Sequence, residues 1–278
     1  MQELSKIIAE MTALNVVTQK SLRSFGGKCA NISTLLYVWR PFLSQIWAAL
    51  ADNNTVTRTP RNCVWVKQLR PCLDWIQAFV AEQTGAVSRF FTYNSQFGLV
   101  APLEITCDAS VWGLGAWLSI NNTPIAWFSD IITPADEGVL PFKRGQHEGQ
   151  QTFEALCILV AVRLWAPLWK RQRVRLFLRS DNIGALTVFS ALKSAGVAGN
   201  LIAREYALDV GKSEYEPELI QHIAGVTNVI ADLLSRRTDP QKSDGWTVPT
   251  FLAKAKQWIP PQRVRSWWKT LATPGVAS

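Results

Sequence analysis

No Cys-x-x-Cys pair occurs in this chain, and its five cysteines (Cys29, Cys63, Cys72, Cys107 and Cys157) are odd in number. Two of them fall inside apolar strand or helix patterns. They read as buried thiols rather than a disulfide frame or zinc site, which points to a reducing compartment. An apolar signal core is also missing, since Met1 is followed by Gln-Glu-Leu-Ser-Lys, and no uncharged apolar run approaches the roughly 18 residues of a membrane span. The expectation is an intracellular protein, cytoplasmic or nuclear, not secreted and without a membrane partner. Internal repeats and low-complexity tracts are lacking too. Acidic residues are few, 21 against 29 Lys and Arg, giving a net charge of +8 that favours a polyanionic partner such as nucleic acid.

What is present is the composition of a folded protein. The chain is 48% apolar and 18% charged over 278 residues, enough for a packed core and for two domains. Thirteen tryptophans serve either as core filling or as stacking surfaces for sugars and bases.

The pattern divides near residue 95. Upstream, Leu4, Ile7, Ile8, Met11 and Leu14 recur at helical spacing, and Ser21 is positioned to cap a second helix. Gly26-Gly27 is expected to interrupt that helix and Pro41 to stop or kink its continuation. A polar loop over 52–62 precedes a further helical pattern over 63–83. Downstream, strand patterns run from Leu103, from Ala116 and from Pro124; residues 133–149 read as loop, and a long apolar helix is expected from Gln150 to Trp165. A basic connector (Lys170, Arg171, Arg173) leads to a strand from Val174. Two helices, a strand ending near Ile223 and a last helix complete the order β-β-β-α-β-α-α-β-α. The remaining segment, 238–278, is basic and rich in Trp; it reads as a grip on nucleic acid or as a solvated helix packed on the body.

Four acids stand in surroundings that do not suit them. Asp108 ends the first strand of the β-rich part, followed by small residues and glycines that leave room beside it. Glu154 sits in the apolar helix, Asp181 ends the fourth strand, and Asp232 lies between apolar neighbours in the last helix. Carboxylates so placed are costly unless paired or bound to a cation. One metal site explains all four. Hard oxygens suit magnesium, with manganese able to substitute, and two such ions about 3.5–4 Å apart can activate water and stabilise a leaving oxygen in phosphodiester cleavage.

The motifs around these acids resemble the ribonuclease H family, most closely the ribonuclease H domains of DIRS-like or gypsy-like retrotransposon reverse transcriptases. Ile105-Thr-Cys-Asp108-Ala-Ser110, with Gly113 and Gly115 following, resembles the first motif, with Cys107 where threonine is usual. Phe153-Glu154-Ala-Leu resembles the second and Ser180-Asp181-Asn182 the third. The stretch from His222 through Gly225, Asn228 and Asp232 to Arg236 resembles the fourth, with the histidine ten residues and the asparagine four residues before the last acid. Leu22-Arg-Ser-Phe-Gly-Gly-Lys28 and Trp39-Arg-Pro-Phe-Leu43 resemble the thumb and connection of those reverse transcriptases.

The resemblance implies an α/β, ribonuclease H-like fold with a mixed five-stranded sheet over 96–237, preceded by a small helical region over 1–95. It implies two-metal hydrolysis of the RNA strand of an RNA–DNA hybrid. Asp108, Glu154, Asp181 and Asp232 would be the metal ligands, His222 a proton-handling residue, and Ser110, Gly113, Asn182 and Asn228 substrate-binding residues. Asn228 is also placed to cap the last helix, and His147 reads as solvated. The polymerase motif Tyr-x-Asp-Asp is missing, so the polymerase portion of a polyprotein is an expected partner. A catalytically inactive remnant that binds nucleic acid is the alternative reading. DDE transposases use another order of acids, and actin-like ATPases need a second phosphate-binding hairpin that this sequence lacks.

Overall fold

The computed structural model describes residues 1–51, 59–84, 102–169, 174–194, 196–212 and 216–272. The expected division near residue 95, the basic connector at 170–173 and most of the polar loop lie outside them. Two compact units make up the chain, Met1–Phe90 with Ala272–Ser278, and Phe91–Leu271.

The first unit is built from helices α1 (Gln2–Thr12), α2 (Gln19–Leu35), α3 (Arg40–Ala51) and α4 (Val66–Val80). Strands β1 (Val16–Thr18) and β2 (Cys63–Trp65) pair antiparallel, which the sequence did not signal. Thr18, not Ser21, caps α2: its hydroxyl accepts a bond from the Ser21 backbone N–H at 3.1 Å. Helix α2 runs unbroken through Gly26-Gly27, contrary to expectation. Gly26 is buried, and a Cβ there would sit 3.2 Å from Ile46, so the glycine permits close packing of α3 rather than a break. Helix α2 ends at Leu35, and Pro41 occupies the second position of α3, where its missing N–H costs nothing.

The second unit is a mixed sheet between two helical layers. Strands β3 (Leu103–Ala109), β4 (Gly113–Ile120) and β5 (Thr123–Ile131) form an antiparallel meander. Strand β6 (Arg175–Ser180) runs parallel to β3, and β7 (Glu216–His222) parallel to β6. The expected five strands gain a sixth, because β8 (Lys256–Gln257) pairs parallel with β5; the order across the sheet is β7-β6-β3-β4-β5-β8. Helix α5 (Pro134–Val139) occupies part of the stretch read as loop. It forms because Thr133 and Asp136 make a reciprocal capping box ahead of Pro134.

Helix α6 (Gln150–Trp165) has the bounds its apolar pattern predicts. A helix apolar on every side must be buried on every side, and α6 is, between the sheet, α7 (Ile183–Ala191) and α8 (Val197–Lys212). His147–Leu168 is long and apolar enough to cross a membrane, but most of it is buried inside the fold as this core element.

Helix α9 (Val229–Ser235) covers the other face, and two glycine and two serine positions of the meander hold it there. A Cβ at Gly115 would lie 2.3 Å from the Ser235 backbone nitrogen and 2.6 Å from the Ala231 carbonyl, so only glycine admits the helix this close. Gly113 is closed in the same way by Ser235 and Asp130. The last helical carbonyls, which lack partners inside the helix, accept bonds from the sheet: Ser129 donates to Leu234 at 2.7 Å and Ser110 to Ser235 at 2.9 Å.

Residues 238–271 contain no α-helix among the described residues and pack on the rest of the second unit. Arg263 is 1% exposed and donates to both Asp136 oxygens, to Asp130 and to the Ile131 carbonyl. Leu252 and Trp246 cover Trp127 and Leu234. Removing a partner from a buried ion pair strands the remaining charge, at a cost of roughly 3–5 kcal/mol. Arg263→Met is therefore expected to lower the unfolding free energy by about that amount in a urea titration, with the first unit's helical signal retained.

Candidate metal centre

The site is set by strand register. The parallel pairing of β3 with β6 places Thr106 opposite Arg179, and two residues further along each chain stand Asp108 and Asp181. Both acids thus arrive at the same end of adjacent parallel strands, where the chain order across the sheet changes and ligand crevices form. Glu154 comes from the second turn of α6. Oxygens of Asp108, Glu154 and Asp181 all lie within 4.8 Å of one another, the arrangement a single cation requires.

Burial makes this cluster electrostatically expensive. Asp108 is 6% exposed and Glu154 3%. Desolvation, reinforced by the charges of Asp232 and Asp181, pushes the Asp108 carboxyl up to about 7 against the opposing pull of its Ser235 hydrogen bond and of Arg236. Glu154 lies well above the ordinary carboxylate range, first because it is buried and then because Asp108 faces it.

Asp108 and Glu154 are each held by a neighbour. Ser235 donates its hydroxyl to Asp108 Oδ2 at 2.6 Å. Gln150 donates Nε2 to Glu154 Oε1 at 3.1 Å and to the Ala109 carbonyl, tying the start of α6 to the end of β3. Glu154 Oε2 is buried with no hydrogen-bond partner. A buried acceptor left open beside two further carboxylates fits a hard divalent cation, and the all-oxygen donor set suits magnesium or manganese. Asp232 stands beside the trio rather than in it, its Oδ1 paired with Arg236 Nε at 2.6 Å.

The remaining candidates separate by position. His222 is exposed at the end of β7, with Nε2 3.1 Å from the Asp181 carbonyl oxygen. Gly225 touches Asp181; a Cβ there would lie 2.9 Å from its Oδ2. Asn182 caps α7 by accepting from the Ala185 N–H at 2.9 Å and is half-buried at the site's edge. Ser110 and Gly113 are buried, and the Ser110 hydroxyl is fully engaged, accepting from Trp112 and Gly113 and donating to Ser235. Both shape the turn under α9. Asn228 is 2% exposed and makes no side-chain cap bond; its amide donates to the Cys107 carbonyl at 3.0 Å, pinning the start of α9 to β3. His147 is exposed, as expected. The sequence assigned no role at the site to Ser235, Gln150 or Arg236. Serine and glutamine carry no metal signal of their own, and only the tertiary contacts reveal them.

No protein-family model matches the chain, and no curated protein matches its sequence. Among solved structures it is similar to ribonuclease H1 from the halophilic archaeon Halobacterium salinarum NRC-1, with 14% identity and a TM-score of 0.38, over 49% of this chain and 96% of that one. It is also similar to a foamy viral protease–reverse transcriptase, designated dRH, in complex with double-stranded DNA, with 12% identity and a TM-score of 0.29, over 80% of this chain and 35% of that one. A second foamy viral protease–reverse transcriptase in complex with double-stranded DNA gives 13% identity and a TM-score of 0.27, over 81% of this chain and 42% of that one.

The raised proton affinity of Asp108 has a consequence for stability. Between about pH 4 and pH 7 the folded chain holds a proton that the unfolded chain has released, so stability contributed at this residue falls as pH rises and is lowest above about 7. In metal-free buffer, Asp108→Asn is expected to melt higher than the parent at pH 8, with the difference shrinking toward pH 4. Added magnesium should raise the parent's Tm and leave the variant's nearly unchanged.

Proposed function

We propose that this chain is a metal-dependent ribonuclease H that hydrolyses the RNA strand of an RNA–DNA hybrid, working as part of a retrotransposon reverse transcriptase. The observation that carries the reading is the convergence of Asp108, Glu154 and Asp181, from three separate elements, onto one buried point beside Asp232. The ribonuclease H-like sheet supports it by delivering the acids in the order the four sequence motifs imply.

Asp108, Glu154, Asp181 and Asp232 would hold two magnesium ions, which when bound activate a water and stabilise the leaving oxygen. The protein's own part is positional. The Ser235 hydroxyl fixes Asp108 Oδ2, and Gln150 fixes Glu154 Oε1, leaving the other oxygen of each acid for ligation. Gly225 keeps the space beside Asp181 clear. His222, exposed with Nε2 3.1 Å from the Asp181 carbonyl oxygen, would act as the proton-handling group for the departing strand. Lys and Arg contacts to phosphates supply affinity that weakens steeply with salt, and the 2′-hydroxyl distinguishes the RNA strand. The helical first unit takes the place of a reverse transcriptase thumb and connection, with the polymerase portion of a polyprotein as partner.

The test is cleavage of an end-labelled RNA–DNA hybrid by the purified chain with magnesium, manganese or EDTA. The RNA strand alone is expected to be cut, only with metal, and Asp181→Asn should reduce the rate by at least about 100-fold while binding the hybrid as the parent does. Cutting that persists in Asp181→Asn or in EDTA would overturn the assignment. Hybrid binding without cleavage by the parent would favour an inactive binding module.

A further inference from the structure

The fourth acid is not free. Asp232 and Arg236 lie one turn apart on the exposed side of α9, and Arg236 Nε meets Asp232 Oδ1 at 2.6 Å. The two side chains are 38% and 37% exposed. The helix between the two is anchored: Leu234 and Ser235 are fully buried, and Ser235 is bonded to Asp108. The backbone carrying Asp232 is therefore fixed, while its carboxylate is held by a solvent-facing cation outside the 4.8 Å cluster of Asp108, Glu154 and Asp181. Asp232 is still near enough for its charge to act on Asp108, with Arg236 acting in the opposite sense.

Resting on the reading of these acids as a metal site, we propose that Arg236 is a positioning residue that competes with a divalent ion for Asp232. It holds the fourth ligand aside while one ion binds the buried trio, and releases it when a second ion arrives. The physical grounds are the differing environments of the two parts. Asp108 and Glu154 are buried, and among the described residues no Lys or Arg is paired with the trio, so an ion there displaces no ion pair. Asp232 already has a monovalent partner, and a half-exposed pair one turn apart on a helix is weak enough for a divalent ion to displace. The two ions should thus bind with unequal affinity, and Arg236 should weaken the second one alone.

The experiment counts bound manganese by electron paramagnetic resonance during titration of the full chain, comparing the parent with Arg236→Gln and Arg236→Lys. The parent is expected to bind a tighter and a weaker ion. In Arg236→Gln the weaker event should tighten by roughly threefold or more, with the tighter one unchanged. Arg236→Lys, which keeps the charge, should stay near the parent. Melting curves in EDTA should differ little among the three, because Arg236 lies at the surface. An unchanged or weakened second event in Arg236→Gln would overturn the role given to Arg236 while leaving the metal site intact. Failure of the parent to bind any manganese would overturn the metal-site reading, and this inference with it.

Discussion

Three carboxylates, two of them buried, converge and repel each other, and the architecture of the second unit holds them there. An acid in water relaxes away from its neighbours; Asp108 and Glu154, each less than 10% exposed, have no such freedom. Their supports are rigid by construction. Asp108 and Asp181 stand at the ends of hydrogen-bonded parallel strands, and Glu154 stands on a helix enclosed on every side. Small adjustments are further blocked by Gln150, which bridges helix to strand, and by Asn228, whose amide ties the opposite helix to Cys107 on the neighbouring residue of β3. The cluster is a charge deficit built into a frame that cannot collapse around it.

Helix α9 shows how closely that frame is fitted. It spans only seven residues, too few to be stable alone, and exists because the meander supplies what it lacks. Glycines let it approach the sheet until backbone touches backbone, and two serines take the place of its missing hydrogen-bond partners. One consequence is that Ser110 and Gly113 are committed to seating the helix. Another is that Ser235, the helix's final residue, reaches Asp108.

The chain beyond α9 extends the same frame. Strand β8 covers the edge of β5 that would otherwise expose unpaired backbone groups, and the Trp258 N–H donates to the Trp127 carbonyl at 2.8 Å. Further on, Glu205, fully buried on α8, accepts from Arg163, from the Lys269 and Thr270 backbone N–H groups and from the Thr270 hydroxyl, while Trp268 is fully enclosed. Basic and aromatic residues that look from composition like a nucleic-acid grip are in part committed internally: Arg263 to two aspartates, Lys269 to Asp209 and Trp246 to the face of α9.

Periodicity and motif spacing alone determined the order of the strands and helices from β3 to α9 apart from α5, and the bounds of α6, and they singled out the acids of the cluster, because a carboxylate amid apolar residues at a strand end is a local contradiction visible in one dimension. They did not determine which contacts those residues make. Gly26-Gly27 looked like a break and is a packing site, since a glycine's role depends on what approaches it. Residues 133–149 looked like loop because a six-residue helix held by one capping box leaves almost no periodic trace. Asn228 looked like a cap or a substrate contact and became a pin on β3. That Asp232 is paired with Arg236 while its three counterparts converge was decided only in three dimensions, by a register that aligns two strands and a helix surface that faces water.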